Sequence, residues 1–207
     1  MTNVALLPVG KRERTKVQNR QAILDAARAV FSELGYETAT VRDIIRRTGL
    51  AAGTFYNYYR SKEEVFAALS DDGARRFAPI LKGLRENLRD FEAFVHEAIH
   101  AYFQFLAQEQ RSWIEKRPPG EPYPHVLGET PEMAAVYAEV RTVIEAALAA
   151  RQGPAADVAY MTAASIAIAR DVGEKMLERR PIDTEAAADF AVTMILRGLR
   201  GLAQPKD

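Results

Sequence analysis

Apolar residues recur at helical spacing along almost the whole chain, and this periodicity constrains the fold more than any other feature. Ile23, Ala27 and Phe31, for example, are spaced four residues apart and share one helix face. No segment shows the strict alternation of a half-buried strand. The sequence therefore predicts an all-α protein, with helices over 17–34, 41–47, 51–58, 61–77, 88–116, 131–152, 155–180 and 184–202.

Glycine, proline and capping residues predict where these helices begin and end. Gly35 follows the first helix as a C-terminal stop, and Thr40 is an N-cap for the second. Pro131 is expected at the first position of its helix. Pro79 and Gly83 predict a joint after the fourth helix, because both residues weaken a helix interior.

Charge divides the chain into a basic head and an acidic body. Residues 1–62 contain 11 Lys and Arg against 5 Asp and Glu, whereas residues 63–207 contain 17 against 23. A basic head indicates a polyanionic partner, and charge alone allows either nucleic acid or an anionic membrane. The predicted organisation is a flexible basic arm over 1–16, a helix-turn-helix domain over 17–62 and a helical bundle over 63–207.

Composition excludes several classes of protein. The chain has no cysteine, which excludes disulfide frameworks, thiolate metal sites and cysteine nucleophiles. The longest apolar run, 160–169, is shorter than the roughly 20 residues that span a bilayer. The N-terminus lacks the pattern of a secretion signal, so the expected compartment is the cytoplasm, without a membrane partner.

Two short predicted helices are joined by a tight turn, which is the pattern of a helix-turn-helix. Gly49 in the turn allows the chain to reverse without a Cβ clash. Small residues over 51–54 would let the second helix lie deep in the DNA major groove. Tyr56, Asn57 and Tyr58 then offer hydroxyl and amide groups to phosphates and base edges. The predicted core of the motif is Val41, Ile44, Ile45, Leu50 and Phe55.

The segment over 40–65 resembles the TetR family of bacterial transcriptional regulators. The resemblance rests on GTFY at 53–56, YRSK at 59–62 and FSELGY at 31–36. It implies an N-terminal DNA-binding domain followed by a helical ligand-binding and dimerisation domain. It also implies contacts with DNA bases or phosphates from Thr40, Arg42, Ala52, Gly53, Thr54, Tyr56, Asn57, Tyr58 and Lys62. The chain departs from the family pattern at Ala51, where serine or threonine is common, and at Tyr59, where phenylalanine is usual.

The letters HEAIH, beginning at His96, match the H-E-x-x-H pattern of zinc hydrolases on a predicted helix. His96 and His100 would share a face and could bind zinc, with Glu97 as general base. A third ligand would have to come from elsewhere, such as Glu115 or His125, and no strand supplies a substrate-binding edge. We therefore predict no catalytic residue and no cofactor. A metal-responsive regulator or a metallohydrolase remains the alternative.

The apolar residues of the aromatic helix over 88–116 occupy more than one face of the helix, so the helix is expected to be buried on more than one side. Some of these residues are expected to line a small-molecule pocket. Arg170 could anchor an anionic ligand. The predicted ligand-binding residues are Tyr102, Trp113, Tyr123, Tyr137, Tyr160, Met161 and Arg170.

The last two helices are rich in alanine, and by the resemblance they would form a homodimer interface. The predicted function is a ligand-responsive repressor that a small hydrophobic or amphipathic effector releases from a palindromic double-stranded DNA operator. An architectural DNA-binding protein without an effector is a further alternative, and it would bind DNA without sequence preference.

Overall fold

The computed structural model describes residues 10–87, 90–111, 115, 130–150 and 157–202, with side chains through residue 198. Within these ranges all regular structure is helical, so the predicted all-α fold is confirmed. The chain divides into two compact units, Met1–Leu69 and Ser70–Asp207. The helices are α1 (Lys11–Leu34), α2 (Val41–Thr48), α3 (Ala52–Tyr56), α4 (Lys62–Asn87), α5 (Phe91–Glu109), α6 (Pro131–Ala149), α7 (Val158–Glu178) and α8 (Thr184–Leu202).

The N-terminal unit consists of α1, α2, α3 and the first turns of α4. Each helix contributes a fully buried residue to its interior: Ile23 from α1, Ile44 from α2, Phe55 from α3 and Val65 from α4. The predicted core of the helix-turn-helix is confirmed for Ile44 and Phe55. The other members of that core are only half-buried, namely Val41, Ile45 and Leu50.

The first helix is longer than the sequence predicts. It begins at Lys11, so the expectation of a flexible arm is wrong for residues 11–16, and residues 1–9 lie outside the described part of the chain. The segment contains neither glycine nor proline, and the Thr15 hydroxyl donates to the Lys11 carbonyl at 3.0 Å. All of its side chains are exposed. An exposed turn has no apolar stripe, which is why periodicity did not indicate it.

The predicted joint near Pro79 is also wrong, because α4 continues through this proline to Asn87. Phe77 and Leu81, on either side of Pro79, are 6% and 2% exposed and belong to the core of the C-terminal unit. Proline removes one backbone donor from a helix. Burial of the flanking residues offsets that local cost.

The C-terminal unit is built around α5, which contacts α6, α7 and α8. Asp90 caps α5 by accepting from the Ala93 amide at 2.8 Å, and Thr130 caps α6 with Pro131 at the predicted first position. Gly173 of α7 faces α5, where an added Cβ would lie 2.7 Å from Leu106 Cδ1. The main buried core residues are Phe77, Leu81, Phe94, Ile99, Phe103, Ile144, Met161, Met176, Leu177, Ala188, Ala191 and Ile195.

Candidate nucleic-acid interface

The turn between α2 and α3 is fixed by one glycine and one threonine. Gly49 has φ +68°, a left-handed conformation that costs glycine little. The Thr48 hydroxyl donates to the Ile45 carbonyl at 2.8 Å and accepts from the Leu50 amide at 3.0 Å. These bonds satisfy backbone groups that the turn would otherwise leave unpaired, and the predicted helix-turn-helix is confirmed.

Thr40 begins α2 through a reciprocal capping box with Asp43. The Asp43 amide donates to Thr40 Oγ1 at 3.3 Å, and the Thr40 amide donates to Asp43 Oδ2 at 3.0 Å. The Thr40 hydroxyl also donates to this carboxylate, and together these bonds hold the pKa of Asp43 below its usual value. The Thr40 side chain therefore stabilises α2. Its contact with DNA stays a prediction.

Most of the side chains that the resemblance assigns to DNA are exposed. Tyr56 is 53% exposed, and Arg42 has no carboxylate partner among the residues that the structure describes. Thr54 and Tyr58 are half-buried. We call the exposed residues of α2, α3 and the C-cap of α3 the recognition face, which consists of Arg42, Ala52, Gly53, Tyr56 and Asn57.

The short helix α3 is held mainly by Phe55, which is fully buried. The Tyr56 ring meets the Phe55 ring edge-on, with centroids 5.5 Å apart, while Tyr59 is 8% exposed. Phe55 and Tyr59 are therefore core residues, as the sequence predicts for Phe55. Ala51, at the N-cap position, makes no side-chain bond to the helix. Packing, rather than capping, therefore fixes the orientation of α3.

Two adjacent arginines on α2 have different surroundings. Arg47 forms an ion pair with Glu33 of α1 and so joins these two helices. The side chain of Arg46 is 79% exposed and lies 3.7 Å from Asp43, a long contact. Surface pairs of this kind contribute little to stability. Arg46 therefore adds an accessible positive charge to α2.

Lys62 has an internal role that the sequence did not reveal. Its ammonium donates to the carbonyl oxygens of Tyr36 and Glu37 at 2.8 and 3.0 Å and lies 4.6 Å from the centre of the Tyr36 ring. Tyr36 Oη donates to Glu63 at 3.4 Å, and burial, followed by this carboxylate, raises the pKa of Tyr36. Lys62 thus ties the turn after α1 to the start of α4. An ammonium has three N–H donors, and two of those of Lys62 are used by these carbonyls. Its predicted phosphate contact would therefore depend on the third N–H.

Lys62→Met is expected to lower the free energy of unfolding by about 1–3 kcal/mol, because hydrogen bonds from a charged donor contribute on that scale. Guanidinium denaturation followed by circular dichroism measures the effect. Lys82→Met is the matched control on the same helix, since the side chain of Lys82 is 58% exposed and lies 3.9 Å from its partner Glu86. Equal, small losses in both variants would show that the carbonyl bonds of Lys62 do not stabilise the fold.

The predicted ligand-binding residues do not form one group. Met161 is 5% exposed and belongs to the core, whereas its neighbour Tyr160 is 77% exposed and does not line the interior of this unit. Successive helix residues point about 100° apart, which explains the difference. Tyr102 and Tyr137 are half-buried. Trp113 and Tyr123 lie outside the described residues.

Tyr102 and Arg170 are close enough for the charge of Arg170 to affect the pKa of Tyr102. Desolvation raises the pKa of Tyr102, the Glu174 carboxylate raises it further, and Arg170 acts in the opposite direction. Arg170 donates to Asp171 at 2.8 Å, which raises the pKa of the guanidinium. A separate open depression contains none of the predicted ligand-binding residues. It is lined by Ala107, Gln108, Arg111, Glu115 and Ile182.

The two histidines of the H-E-x-x-H pattern share one face of α5, as predicted. Their rings stack with centroids 4.3 Å apart. The side chain of His96 is half exposed, and that of His100 is 12% exposed. Glu97 lies 3.4 Å from His96 Nδ1. Their acidic neighbours come from α8, a part of the chain that sequence reasoning did not connect with them.

The helix-turn-helix of this chain is similar in sequence to those of bacterial transcriptional regulators. The family model for bacterial regulatory proteins of the tetR family matches residues 23–69. The transcriptional repressor AcnR of Corynebacterium diphtheriae is 41% identical over 76 residues, which cover 36% of this chain and 40% of AcnR. The match thus spans about two fifths of that relative and is confined to part of each protein.

Solved structures extend the likeness to the whole fold. One from Syntrophomonas wolfei, described as a TetR-family transcriptional regulator, aligns with TM-score 0.69 and 21% identity over 90% of this chain and 97% of that one. The regulator FadR from Bacillus subtilis, in complex with stearoyl-CoA, aligns with TM-score 0.63 and 16% identity over 86% and 98% of the two chains. At these identities the likeness concerns the fold.

The described residues form an all-helical protein of two units, and the N-terminal unit contains a helix-turn-helix similar to those of bacterial DNA-binding regulators. Residues 23–69 match the N-terminal domain model of the tetR family of bacterial regulatory proteins, and the whole chain is similar in fold to a solved structure described as a TetR-family regulator. Among the described residues, no helix is long and apolar enough to cross a membrane.

Proposed function

We propose that the protein is a homodimeric transcriptional repressor that binds a palindromic double-stranded DNA operator through α2 and α3. The observation that carries this proposal is the recognition face, an exposed set of small, aromatic and cationic side chains on a helix-turn-helix fixed by Gly49 and Phe55. The likeness of the N-terminal domain to AcnR, a repressor, supports the direction of regulation.

The chemistry of the recognition face suits a DNA groove. Ala52 and Gly53 leave the start of α3 without bulk, so that backbone can approach base edges. Tyr56 and Asn57 supply hydroxyl and amide groups, and Arg42 supplies a cation for phosphate. In this proposal Asn57 reads bases, while Arg42 and Tyr56 set the position on the duplex.

The proposed dimer uses exposed apolar side chains on the last two helices, chiefly the exposed apolar stripe that Phe190 and Met194 form on α8. Phe190 and Met194 of α8 are 57% and 49% exposed, and Tyr160 of α7 is 77% exposed. Phe190 and Met194 are one turn apart on the same helix, and neighbouring apolar side chains exposed on a protein surface mark interaction sites. A two-fold dimer would present two recognition faces to the two halves of a palindrome.

The proposed effector is a small hydrophobic or amphipathic molecule bound within 80–202. It would act by binding one conformational state of the dimer more tightly and so shifting the population of the DNA-binding state. The helix α4 runs without a break from Lys62 to Asn87 and is the covalent element available to transmit such a shift. The shared fold with FadR, which was solved with stearoyl-CoA, supports this chemical class.

The test is a binding-site selection from random duplexes, followed by fluorescence anisotropy on the selected site at several salt concentrations. We expect a preference over non-specific DNA on the order of a thousandfold, with affinity falling steeply as salt rises. Arg42→Ala should weaken DNA binding. It should also reduce the slope of log affinity against log salt concentration by about one unit, because one phosphate contact is lost. Asn57→Ala should change the preferred sequence more than Tyr56→Ala does.

The matched control is Arg141→Ala, which removes a 59%-exposed arginine side chain from the C-terminal unit. It should leave both the affinity and the salt slope unchanged. Equal effects of Arg42→Ala and Arg141→Ala would show that the DNA-binding surface lies elsewhere. Binding without any sequence preference would instead favour the architectural alternative.

A further inference from the structure

Helices α5 and α8 bring two histidines and two carboxylates together on the C-terminal unit. His96 and His100 are one turn apart on α5, and Glu185 and Asp189 are one turn apart on α8. One ligand atom from each of His96, His100 and Asp189 lies within 4.8 Å of the other two. The four side chains therefore form a compact cluster of nitrogen and oxygen donors.

His100, whose side chain is 12% exposed, is the centre of this cluster. Its Nδ1 lies 3.1 Å from Glu185 Oε2, and its Nε2 lies 3.3 Å from Asp189 Oδ1. Although the second distance is short, Nε2 is buried and makes no hydrogen bond to the residues that the structure describes. A ring nitrogen that lies 3.3 Å from a carboxylate oxygen without a hydrogen bond between them leaves both atoms available to bind one cation.

We propose that His96, His100 and Asp189 bind a divalent transition-metal ion of the Zn²⁺ class. Metal–ligand bonds of about 2.0–2.1 Å place neighbouring ligands of a tetrahedral site about 3.3 Å apart. The separation of His100 Nε2 from Asp189 Oδ1 matches this value. Two imidazoles and one carboxylate form a typical donor set for zinc and related ions.

Glu185 is the outer-shell partner of this site. A carboxylate beside Nδ1 holds the proton on that nitrogen, which leaves the Nε2 lone pair for the metal. Three protein ligands leave one tetrahedral position for water or an external donor. Glu97, the general base of the hydrolase alternative, is 56% exposed by side chain and is not one of the ligands.

The bound ion would crosslink α5 to α8, because its ligands come from both helices. Because α8 also carries Phe190 and Met194, the ion would stabilise the helix that presents the exposed apolar stripe. The site goes beyond the proposed DNA-binding function and does not rest on it. Metal binding can accordingly be measured on the protein without DNA.

The test titrates Zn²⁺ into tag-free, chelator-treated full-length protein by isothermal titration calorimetry. We expect one ion per chain. Glu185→Gln should weaken the affinity by about 10–100-fold, and His96→Ala and Asp189→Asn by at least as much. Glu145→Gln is the control, which removes an exposed carboxylate from α6 and should leave the affinity unchanged.

A second readout is the midpoint of thermal unfolding. Zn²⁺ should raise this midpoint for the native chain and for Glu145→Gln but not for Asp189→Asn. His96 and Asp189 have exposed side chains, so their substitution does not disturb the core. The absence of one-to-one binding, or equal Zn²⁺ affinity in the native chain, His96→Ala and Asp189→Asn, would overturn the proposal.

Discussion

A chain carrying both Phe190→Glu and Met194→Glu is expected to be monomeric and to bind its operator about 100-fold or more weakly than the native chain. Two linked half-site contacts gain a factor of roughly 10²–10⁴ over one, and a monomer loses that gain. The new carboxylates would also face their symmetry mates across a two-fold interface, where like charges repel.

The two faces of α8 explain why this substitution should separate assembly from folding. Ala188 and Ala191 face the core and are fully buried. Phe190 and Met194 lie on the opposite, exposed side of the same helix. A globular helix normally has one apolar face, so a second apolar face indicates a second partner. Exposed substitutions change stability by only about 0.5 kcal/mol, so the monomer should remain folded.

Analytical ultracentrifugation gives the oligomeric state, and fluorescence anisotropy gives the operator affinity. The control is Ala134→Glu with Ala138→Glu, which adds the same two charges at the same spacing to exposed positions of α6. The control should remain dimeric. If the α8 variant also stays dimeric and binds the operator as tightly as the native chain, the dimer interface lies on another surface.

Helix ends were predictable where the signal is local. Thr40 and Pro131 begin their helices as their residue types require, because capping depends on groups within one turn. The continuous path through Pro79 was not predictable in this way. It depends on the burial of Phe77 and Leu81 by helices that are distant in sequence.

The candidate sites show the same contrast between local and long-range information. The exposure of Tyr56 and Asn57 follows from the length of the turn and the position of Phe55, all within one motif. The bonds from Lys62 depend on where the turn after α1 returns, and the carboxylates beside His100 depend on how α8 packs against α5. No local pattern in the sequence encodes either juxtaposition.

Phe55→Ala is expected to lower the free energy of unfolding of the N-terminal unit by about 3–5 kcal/mol, the usual cost of truncating a buried phenylalanine. Phe55 is fully buried, and α3 has only five residues, so it cannot persist without this anchor. Such a loss is a large share of the 5–15 kcal/mol that typically stabilises a domain. The variant should therefore lose operator binding.

Hydrogen exchange on the full chain locates the effect. Amides over 41–59 should exchange faster in Phe55→Ala, whereas those of α7 and α8 should keep their protection. Phe55→Leu, which keeps most of the volume, should cost less than about 1.5 kcal/mol. Tyr56→Ala, on the exposed side of the same helix, should weaken DNA binding with little change in unfolding. If Phe55→Ala leaves both exchange and operator affinity unchanged, other contacts hold the recognition face in place.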